Sequence, residues 1–421
     1  MDLLITQILV YALIALILIQ FIKTVFSKDL TQVFSPMNVV SLCFIYYCLM
    51  PYFTGGSVNY SLGRQENVLF HACALISYFC VQWGFSKPTK ANFTTWNNLI
   101  SRNNLVPSAV LLFGVAFACY SAFRGVHFSI FAEGERQELN HTSFEHYFLE
   151  MVCLYIASFG LLILCLKEKV AKKWIYLLFW YILVSMIFAG TRSRLVLVAL
   201  LSVTVVYLYP KPRKPNYILL AILAVVMYLG FSIMDKSRTY SQGIRIDAVQ
   251  NMSRDQIVGG ADENASVYWF SSLVLDKFTE TNDYVYFEPI LTAALMPIPR
   301  AIFPWKPDGD YQKKAQRYTI GSDEGGAAYL FFVEGYWAFW WPGLILYSWL
   351  LGWTCRKYWD NYQRNKNSMG ALLAFALYSS LTYSIISRGY LAASFDLYIF
   401  TVCMPFWLIQ LAGKISPIFR P

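Results

Sequence analysis

Apolar runs of about twenty residues recur along almost the whole sequence, and they constrain the fold more than any other feature. A helix of that length crosses the hydrocarbon core of a bilayer. The chain is 57% hydrophobic and only 14% charged, whereas soluble domains carry roughly 25% charged residues. We therefore predict an all-α polytopic membrane protein with about eleven transmembrane helices. The predicted spans lie near residues 3–22, 37–54, 67–85, 105–123, 145–166, 173–189, 194–209, 216–234, 327–353, 369–386 and 393–412.

One long polar stretch, residues 235–326, interrupts the apolar runs. It separates an N-terminal set of about eight predicted spans (1–234) from a C-terminal set of about three (327–421). Its many aromatic and proline residues argue against disorder, and connections of this length are usually functional. We predict a large, partly helical loop that caps a membrane-embedded site. The helices expected within it cover 262–280, 289–296 and 308–321.

Lysine and arginine are concentrated in alternate loops between the predicted spans. The basic loops lie within residues 87–102, 167–173, 211–214 and 356–366, and the C-terminal segment falls on the same side. Because basic loops are retained in the cytoplasm, we predict a cytoplasmic C-terminus. The N-terminus and the polar stretch then lie outside, in the periplasm. The formal net charge of +9 follows from these loops, so we expect no nucleic-acid partner.

Five arginines break this charge rule, because they lie in turns or loops on the outer side of the predicted membrane. They are Arg124, Arg136, Arg192, Arg194 and Arg388. A bound anion would explain them, since a guanidinium group holds a phosphate through two parallel hydrogen bonds. The alternative is that these side chains reach lipid headgroups.

The polar stretch carries further cations. Four prolines between residues 296 and 307 stiffen the backbone around Arg300 and Lys306, next to Trp305. Such a rigid segment suits the binding of an anion or a sugar, although it would serve equally as a rigid return to the bilayer. Arg317 shares a face of the predicted helix 308–321 with two lysines, and that face is either part of the site or simply solvated.

Three motifs resemble those of oligosaccharide repeat-unit polymerases. Residues 189–200 (AGTRSRLVLVAL) resemble the Gly/Ser-Arg turn of Wzy-type O-antigen polymerases and related ligases. Residues 298–307 (IPRAIFPWKP) resemble their Pro-Arg…Pro-x-Lys-Pro segment, and residues 329–343 (YLFFVEGYWAFWWPG) resemble the Glu-x-Tyr pattern that opens the span after the long loop. The number of spans and the late position of the long loop fit over nearly the whole chain.

The resemblance implies a membrane glycosyltransferase fold of the C type (GT-C-like) in the bacterial inner membrane. Such an enzyme uses undecaprenyl-diphosphate-linked oligosaccharides as donor and acceptor at the periplasmic face. It transfers the growing glycan onto the non-reducing-end sugar of a new lipid-linked repeat unit, and undecaprenyl diphosphate leaves. Besides membrane lipid, the resemblance implies a flippase and a chain-length regulator as partners.

This transfer needs a base for the acceptor hydroxyl and positive charge for the leaving diphosphate. Glu334 is the predicted base, because an isolated carboxylate inside a span is costly and usually has a function; the alternative is a structural ion pair with an arginine. Arg192 and Arg300 complete the predicted catalytic set, so neither a metal nor a cofactor is required. The residues expected to bind substrate are Arg194, Lys306, Arg317, Arg388, Trp305 and Tyr336. Other candidates for the base are His127, His141, His146 and Asp396.

Two other functions fit parts of this pattern. An O-antigen ligase would transfer finished glycan to lipid A–core, but the large loop of ligases usually carries a histidine, and residues 235–326 contain none. A transporter or flippase of lipid-linked sugars would show charged residues spread through its spans and internal repeats, whereas the cations here cluster at one face. A capsule or exopolysaccharide polymerase would have the same sequence pattern as an O-antigen polymerase.

Overall fold

Helices account for the fold throughout the described part of the chain. The computed structural model describes residues 2–54, 67–131, 143–170, 172–189, 192–237, 243–252, 263–296, 298, 302–305, 310–320 and 328–415. Within these ranges no strand forms, and an isolated β-bridge joins Phe131 to Ile244. The all-α prediction is confirmed for these residues.

The helices are labelled in chain order. Up to the polar stretch they are α1 (Asp2–Val25), α2 (Pro36–Phe44), α3 (Met50–Thr54), α4 (Val68–Ser86), α5 (Thr94–Leu99), α6 (Leu105–Arg124), α7 (Ser143–Glu150), α8 (Leu154–Lys167), α9 (Ile175–Phe188), α10 (Arg192–Leu208) and α11 (Tyr217–Ser237). They continue as α12 (Ile246–Gln250), α13 (Glu263–Thr281), α14 (Glu288–Leu295), α15 (Asp310–Ile320), α16 (Phe331–Arg364), α17 (Met369–Ser387), α18 (Leu391–Tyr398) and α19 (Met404–Ile415). Short 3₁₀ segments lie at Leu30–Phe34 and Met151–Cys153, and π-helical segments at Ile45–Leu49 and Ile399–Cys403.

Eight helical segments among the described residues are long and apolar enough to cross a bilayer. They are Asp2–Val25, Pro36–Thr54, Val68–Ser86, Leu105–Arg124, Tyr147–Lys167, Tyr217–Met234, Met369–Ser387 and Leu391–Ile415. Each coincides with a predicted span, so the chain has the helices of a polytopic membrane protein. Two more predicted spans correspond to the shorter helices α9 and α10, of 14 and 17 residues. The count of eleven stays a prediction.

The ninth predicted span, 327–353, is wrong as a single continuous helix. Phe339 (φ −143°, ψ 30°) and Trp340 (φ 55°, ψ −142°) leave helical geometry and break α16 near its start. Pro342 follows the break. A proline lacks the N–H of a helical residue, and its ring clashes with the carbonyl group four residues earlier. The break therefore falls where this proline weakens the helix most.

The two pieces of α16, residues 331–338 and 341–364, meet at their glycines. A Cβ atom built on Gly343 would overlap the carbonyl oxygen of Gly335. In a straight helix, residues eight apart lie roughly 12 Å from one another along the axis. The first piece must therefore turn back against the second, which only residues without a side chain permit at this distance.

The helices pack into two units. The first unit comprises residues 1–92, 262–363 and 381–396, and the second comprises 93–261, 364–380 and 397–421. Each unit draws on segments that are distant in sequence. The chain-order division into 1–234, 235–326 and 327–421 describes the expected membrane topology and stays a prediction.

In the first unit, α4 packs closely against the second piece of α16. The hydroxyl groups of Ser77 and Ser348 lie 2.8 Å apart. A Cβ atom on Gly84 or on Gly352 would overlap the backbone of the other helix. Small residues bring membrane helices together in this way, because close approach gives van der Waals contact and interhelical hydrogen bonds.

In the second unit, α8 packs between α6 and α10. The Ser158 hydroxyl on α8 donates to the carbonyl oxygen of Ala109 on α6 at 2.9 Å. Elsewhere in this unit, the rings of Trp96 and Phe406 stack with centroids 4.6 Å apart. This unit contains α10, which begins at Arg192.

The polar stretch is partly helical within its described residues. The helices α13, α14 and α15 lie within one or two residues of the predicted ranges. The apolar stripe of α13 is buried inside the first unit, at Val267, Phe270, Val274, Leu275 and Phe278. This packing attaches the stretch to the membrane helices of the same unit.

Candidate active site

The carboxylate of Glu334 is buried near the start of α16. The residue is 1% exposed. Its Oε1 accepts a hydrogen bond of 2.6 Å from the Tyr311 hydroxyl, and its Oε2 accepts one of 2.7 Å from the Leu391 N–H. Among the described residues, Glu334 forms no ion pair. The buried carboxylate is therefore held by two neutral donors.

The Leu391 N–H is available because it opens helix α18. The first N–H groups of a helix have no acceptor within it, and the helix dipole favours negative charge at that end. The Glu334 carboxylate lies at this helix terminus. Its position thus depends on contact between α16 and a segment 57 residues later in the chain.

The second donor, Tyr311, lies in the first turn of α15 and is also buried. Its ring packs edge-on against Trp337, with centroids 5.7 Å apart, and against Tyr390 at 5.2 Å. Burial and the neighbouring Glu334 carboxylate raise the pKa of the Tyr311 phenol well above its usual range. The phenol therefore stays protonated, and its O–H group donates a hydrogen bond to the carboxylate.

A charged contact fixes α15 beside α16. The Lys314 Nζ lies 2.6 Å from the Asp283 carboxylate. The backbone carbonyl of Asp283 accepts a hydrogen bond of 2.8 Å from Trp337 Nε1, and the Trp337 ring stacks on Phe278 with centroids 4.0 Å apart. These contacts join α13, α15 and the first piece of α16 around Glu334.

Arg388 belongs to the same unit. It directly follows α17, and its Nη2 lies 3.1 Å from the Glu263 carboxylate at the start of α13. The Arg388 side chain is 37% exposed. The turn that carries Arg388 also leads into Leu391, the backbone donor to Glu334.

Arg192 and Arg194 lie in the second unit, on the first turn of α10. Arg192 is buried. The Arg194 Nη2 contacts both carboxylate oxygens of Glu150, at 2.8 and 2.9 Å. The pair is largely shielded from solvent, since the two side chains are 14% and 16% exposed, and it joins α10 to an acid 44 residues earlier in the chain.

The remaining predicted substrate-binding residues occupy varied surroundings. Tyr336 is buried, and its hydroxyl accepts a hydrogen bond of 2.7 Å from Trp340 Nε1. Trp305 is 83% exposed, and Arg317 is exposed in the last turn of α15. The predicted residues that lie outside the described part of the chain are Arg300, Lys306 and His141, together with the side chain of His146.

The other two candidate bases are described. His127 stacks on Phe188 with ring centroids 3.8 Å apart, and its Nε2 lies 2.6 Å from the Arg124 carbonyl oxygen. Asp396 is buried in α18. Among these candidate bases, Glu334 accepts a hydrogen bond from a residue of the polar stretch, Tyr311.

Sequence reasoning missed Tyr311, Asp283 and Leu391. A usable signal existed for Tyr311, because it and Ala315 are apolar residues one helical turn apart in a strongly charged segment. That spacing predicts a buried face, and both residues are buried. Nothing in the sequence indicates that the Leu391 backbone faces Glu334.

No protein-family model matches this sequence, and no curated protein or solved structure matches it. A functional assignment therefore depends on the three sequence motifs and on the geometry around Glu334.

Proposed function

We propose that this protein is a membrane glycosyltransferase that joins undecaprenyl-diphosphate-linked oligosaccharide repeat units into O-antigen or a related surface polysaccharide. The observation that carries the proposal is the buried Glu334 carboxylate, held by Tyr311 of the polar stretch and by the Leu391 N–H. The Glu-x-Tyr motif that supports the family resemblance contains this same glutamate.

In the proposed reaction, Glu334 takes the proton of an acceptor sugar hydroxyl. The hydroxyl oxygen forms a bond with the anomeric carbon of the donor glycan, and the bond from that carbon to the diphosphate oxygen breaks. The electron pair leaves with undecaprenyl diphosphate, whose negative charge requires nearby cations. Arg192 and Arg300 are the proposed catalytic cations, because arginine keeps its charge and binds phosphate oxygens in pairs.

A carboxylate that acts as a base is a better proton acceptor when its hydrogen-bond donors are neutral than when a cation lies beside it. An arginine beside Glu334 would favour the ionised carboxylate and weaken it as a proton acceptor. The Tyr311 hydroxyl and the Leu391 N–H orient the carboxylate without adding a full positive charge. Glu334 and Tyr311 are both buried, so the acceptor hydroxyl reaches the base only after the packing around this pair opens.

The proposal includes the cellular setting. The protein would lie in a bacterial inner membrane, with its N-terminus and polar stretch in the periplasm and its C-terminus in the cytoplasm. Its donor and acceptor would be lipid-linked oligosaccharides delivered by a flippase, and a chain-length regulator would set the product length. The proposed substrate-binding residues remain Arg194, Lys306, Arg317, Arg388, Trp305 and Tyr336.

The glycan ladder of a deletion strain tests this function. The strain is complemented with the wild-type gene, with Glu334→Gln, or with Arg192→Ala, and the surface glycan is separated on gels. Glu280→Gln is the matched control, because it removes an exposed carboxylate from the same unit. We expect deletion to leave a single repeat unit on core, and only wild type and Glu280→Gln to restore the ladder.

Three results would contradict the proposal or a part of it, each in a different way. Full-length polymer that accumulates on its lipid carrier in the deletion strain would indicate a ligase. A ladder unchanged by the deletion would exclude any role in surface polysaccharide assembly. A full ladder from membrane-inserted Glu334→Gln would exclude Glu334 as the base. The polymerase assignment would then depend on the result for Arg192→Ala.

A further inference from the structure

The outward face of helix α14 is apolar, although this helix lies in the polar stretch. Phe287, Ile290, Leu291 and Ala294 are exposed and recur at helical spacing. Phe287 is 63% exposed and Leu291 is 53% exposed. The opposite side of the helix is buried against the first unit, at Pro289, Thr292 and Ala293. A short helix that is apolar on both sides needs a second apolar environment.

The exposed stripe continues onto the break in α16. The Phe287 ring contacts the Phe339 ring edge-on, with centroids 4.9 Å apart. The neighbouring Tyr286 is 58% exposed, and Trp340, at the break itself, is 50% exposed. Together with Ile290 and Leu291, these residues form one surface, which we call the α14 patch: Tyr286, Phe287, Ile290, Leu291 and Trp340.

The register between α4 and α16 locates the break relative to the bilayer. The contacts Ser77–Ser348 and Val81–Gly352 both join residues separated by 271 positions. The two helices therefore run parallel in a constant register. At that register Trp340 is level with residue 69, and α4, which is long and apolar enough to span, begins at Val68.

The α14 patch thus lies level with the end of a membrane-spanning helix. Beyond the break, the second piece of α16 exposes further apolar side chains, at Ile345, Leu346 and Leu350. Side chains of that kind beside a spanning helix face lipid. The tyrosine and tryptophan of the patch are the residue types enriched where hydrocarbon meets headgroups.

We propose that the α14 patch is a bilayer-docking surface, which inserts the apolar face of α14 into the lipid interface. Amphipathic helices bind at this depth when their apolar face enters the boundary between headgroups and acyl chains. The partner is the lipid bilayer around the protein, and the proposal does not depend on the proposed enzyme activity. Binding of α14 to the bilayer would hold this part of the polar stretch at the membrane surface.

Spin-label accessibility in lipid nanodiscs tests this proposal on the full chain. Leu291→Cys places a nitroxide on the patch, and Ile290→Cys places a second one in case the first variant fails to fold. Glu280→Cys is the control, because Glu280 is exposed and pairs with an exposed lysine, as expected in water. The parent chain with its native cysteines, labelled in the same way, supplies the background.

We expect the patch labels to be several-fold more accessible to oxygen, which dissolves in lipid, than to a water-soluble nickel complex. The control label should show the reverse preference. A patch label as accessible to the nickel complex as the control would overturn the proposal, because the patch would then face water. A patch label shielded from both reagents would also overturn it, since a protein surface such as a second copy of the chain would then cover the patch.

Discussion

Tyr311→Phe tests the network around Glu334 most directly. The substitution removes one hydroxyl group and leaves the packing of the ring against Trp337 and Tyr390 in place. It deletes a buried hydrogen bond of 2.6 Å to a carboxylate. Hydrogen bonds to charged groups contribute about 1.5–3 kcal/mol to stability, and the buried carboxylate oxygen is left without this donor.

A loss of about 2 kcal/mol lowers the melting temperature of a domain of 150–250 residues by roughly 4–8 °C. The measurement is thermal unfolding of the purified protein in nanodiscs, followed by intrinsic fluorescence. In the Glu334→Gln background the same tyrosine substitution should cost less, about 1 kcal/mol, because the hydrogen bond is then between neutral groups. The difference between the stability lost in the wild-type background and in the Glu334→Gln background is the coupling free energy of Tyr311 and Glu334.

Tyr329→Phe is the matched control. The Tyr329 ring is buried in the same unit, and its hydroxyl has no hydrogen-bond partner among the described residues. Removing that hydroxyl should leave the melting temperature unchanged or raise it slightly, because the buried group is unsatisfied. If Tyr311→Phe shifts the melting temperature no more than Tyr329→Phe does, the Tyr311 hydroxyl does not stabilise the protein through a hydrogen bond to Glu334.

Three further substitutions test the framework by thermal unfolding, membrane accumulation or amide exchange. Gly343→Ala forces a methyl group into the facing piece of α16 and should cost about 1–3 kcal/mol or more, whereas Gly230→Ala, which meets open space in α11, should be neutral or stabilising. Glu150→Gln leaves the largely buried Arg194 without its counter-charge and should cost up to about 3–5 kcal/mol, seen as lower accumulation in the membrane. Wild-type accumulation would show the pair to be dispensable. Lys314→Gln should speed hydrogen exchange of the backbone amides in α15 and leave exchange in the second piece of α16 unchanged. Equal exchange in the wild type and the variant would show that Lys314 does not hold α15 in place.

The helices were predictable because their signal is local. A run of about twenty apolar residues specifies a span without reference to the rest of the chain, and eight described segments coincide with predicted spans. The helices of the polar stretch followed from proline positions and apolar spacing. The break in α16 also had a local signal, Pro342, but the apolar character of the segment outweighed it in the prediction of a continuous span.

The candidate site was predictable only at its centre. The cost of burying a carboxylate identified Glu334 from the sequence. Its partners did not follow, since Tyr311 lies 23 residues before it and Leu391 lies 57 residues after it. Contacts over such separations depend on how α15, α16 and α18 pack, and no spacing rule in a single sequence specifies that packing.

The arginines show why a charge at a membrane boundary has two physical explanations. Arg194 needs an anion, and a largely shielded acid of the same unit, Glu150, supplies one. Desolvating the guanidinium makes that partner necessary whether or not a lipid diphosphate also binds. Glu334 is the opposite case, because its donors are neutral and its charge is not balanced by a described cation. An isolated buried carboxyl group is costlier to keep ionised than a paired one, and the proposed role of Glu334 as the base rests on this difference.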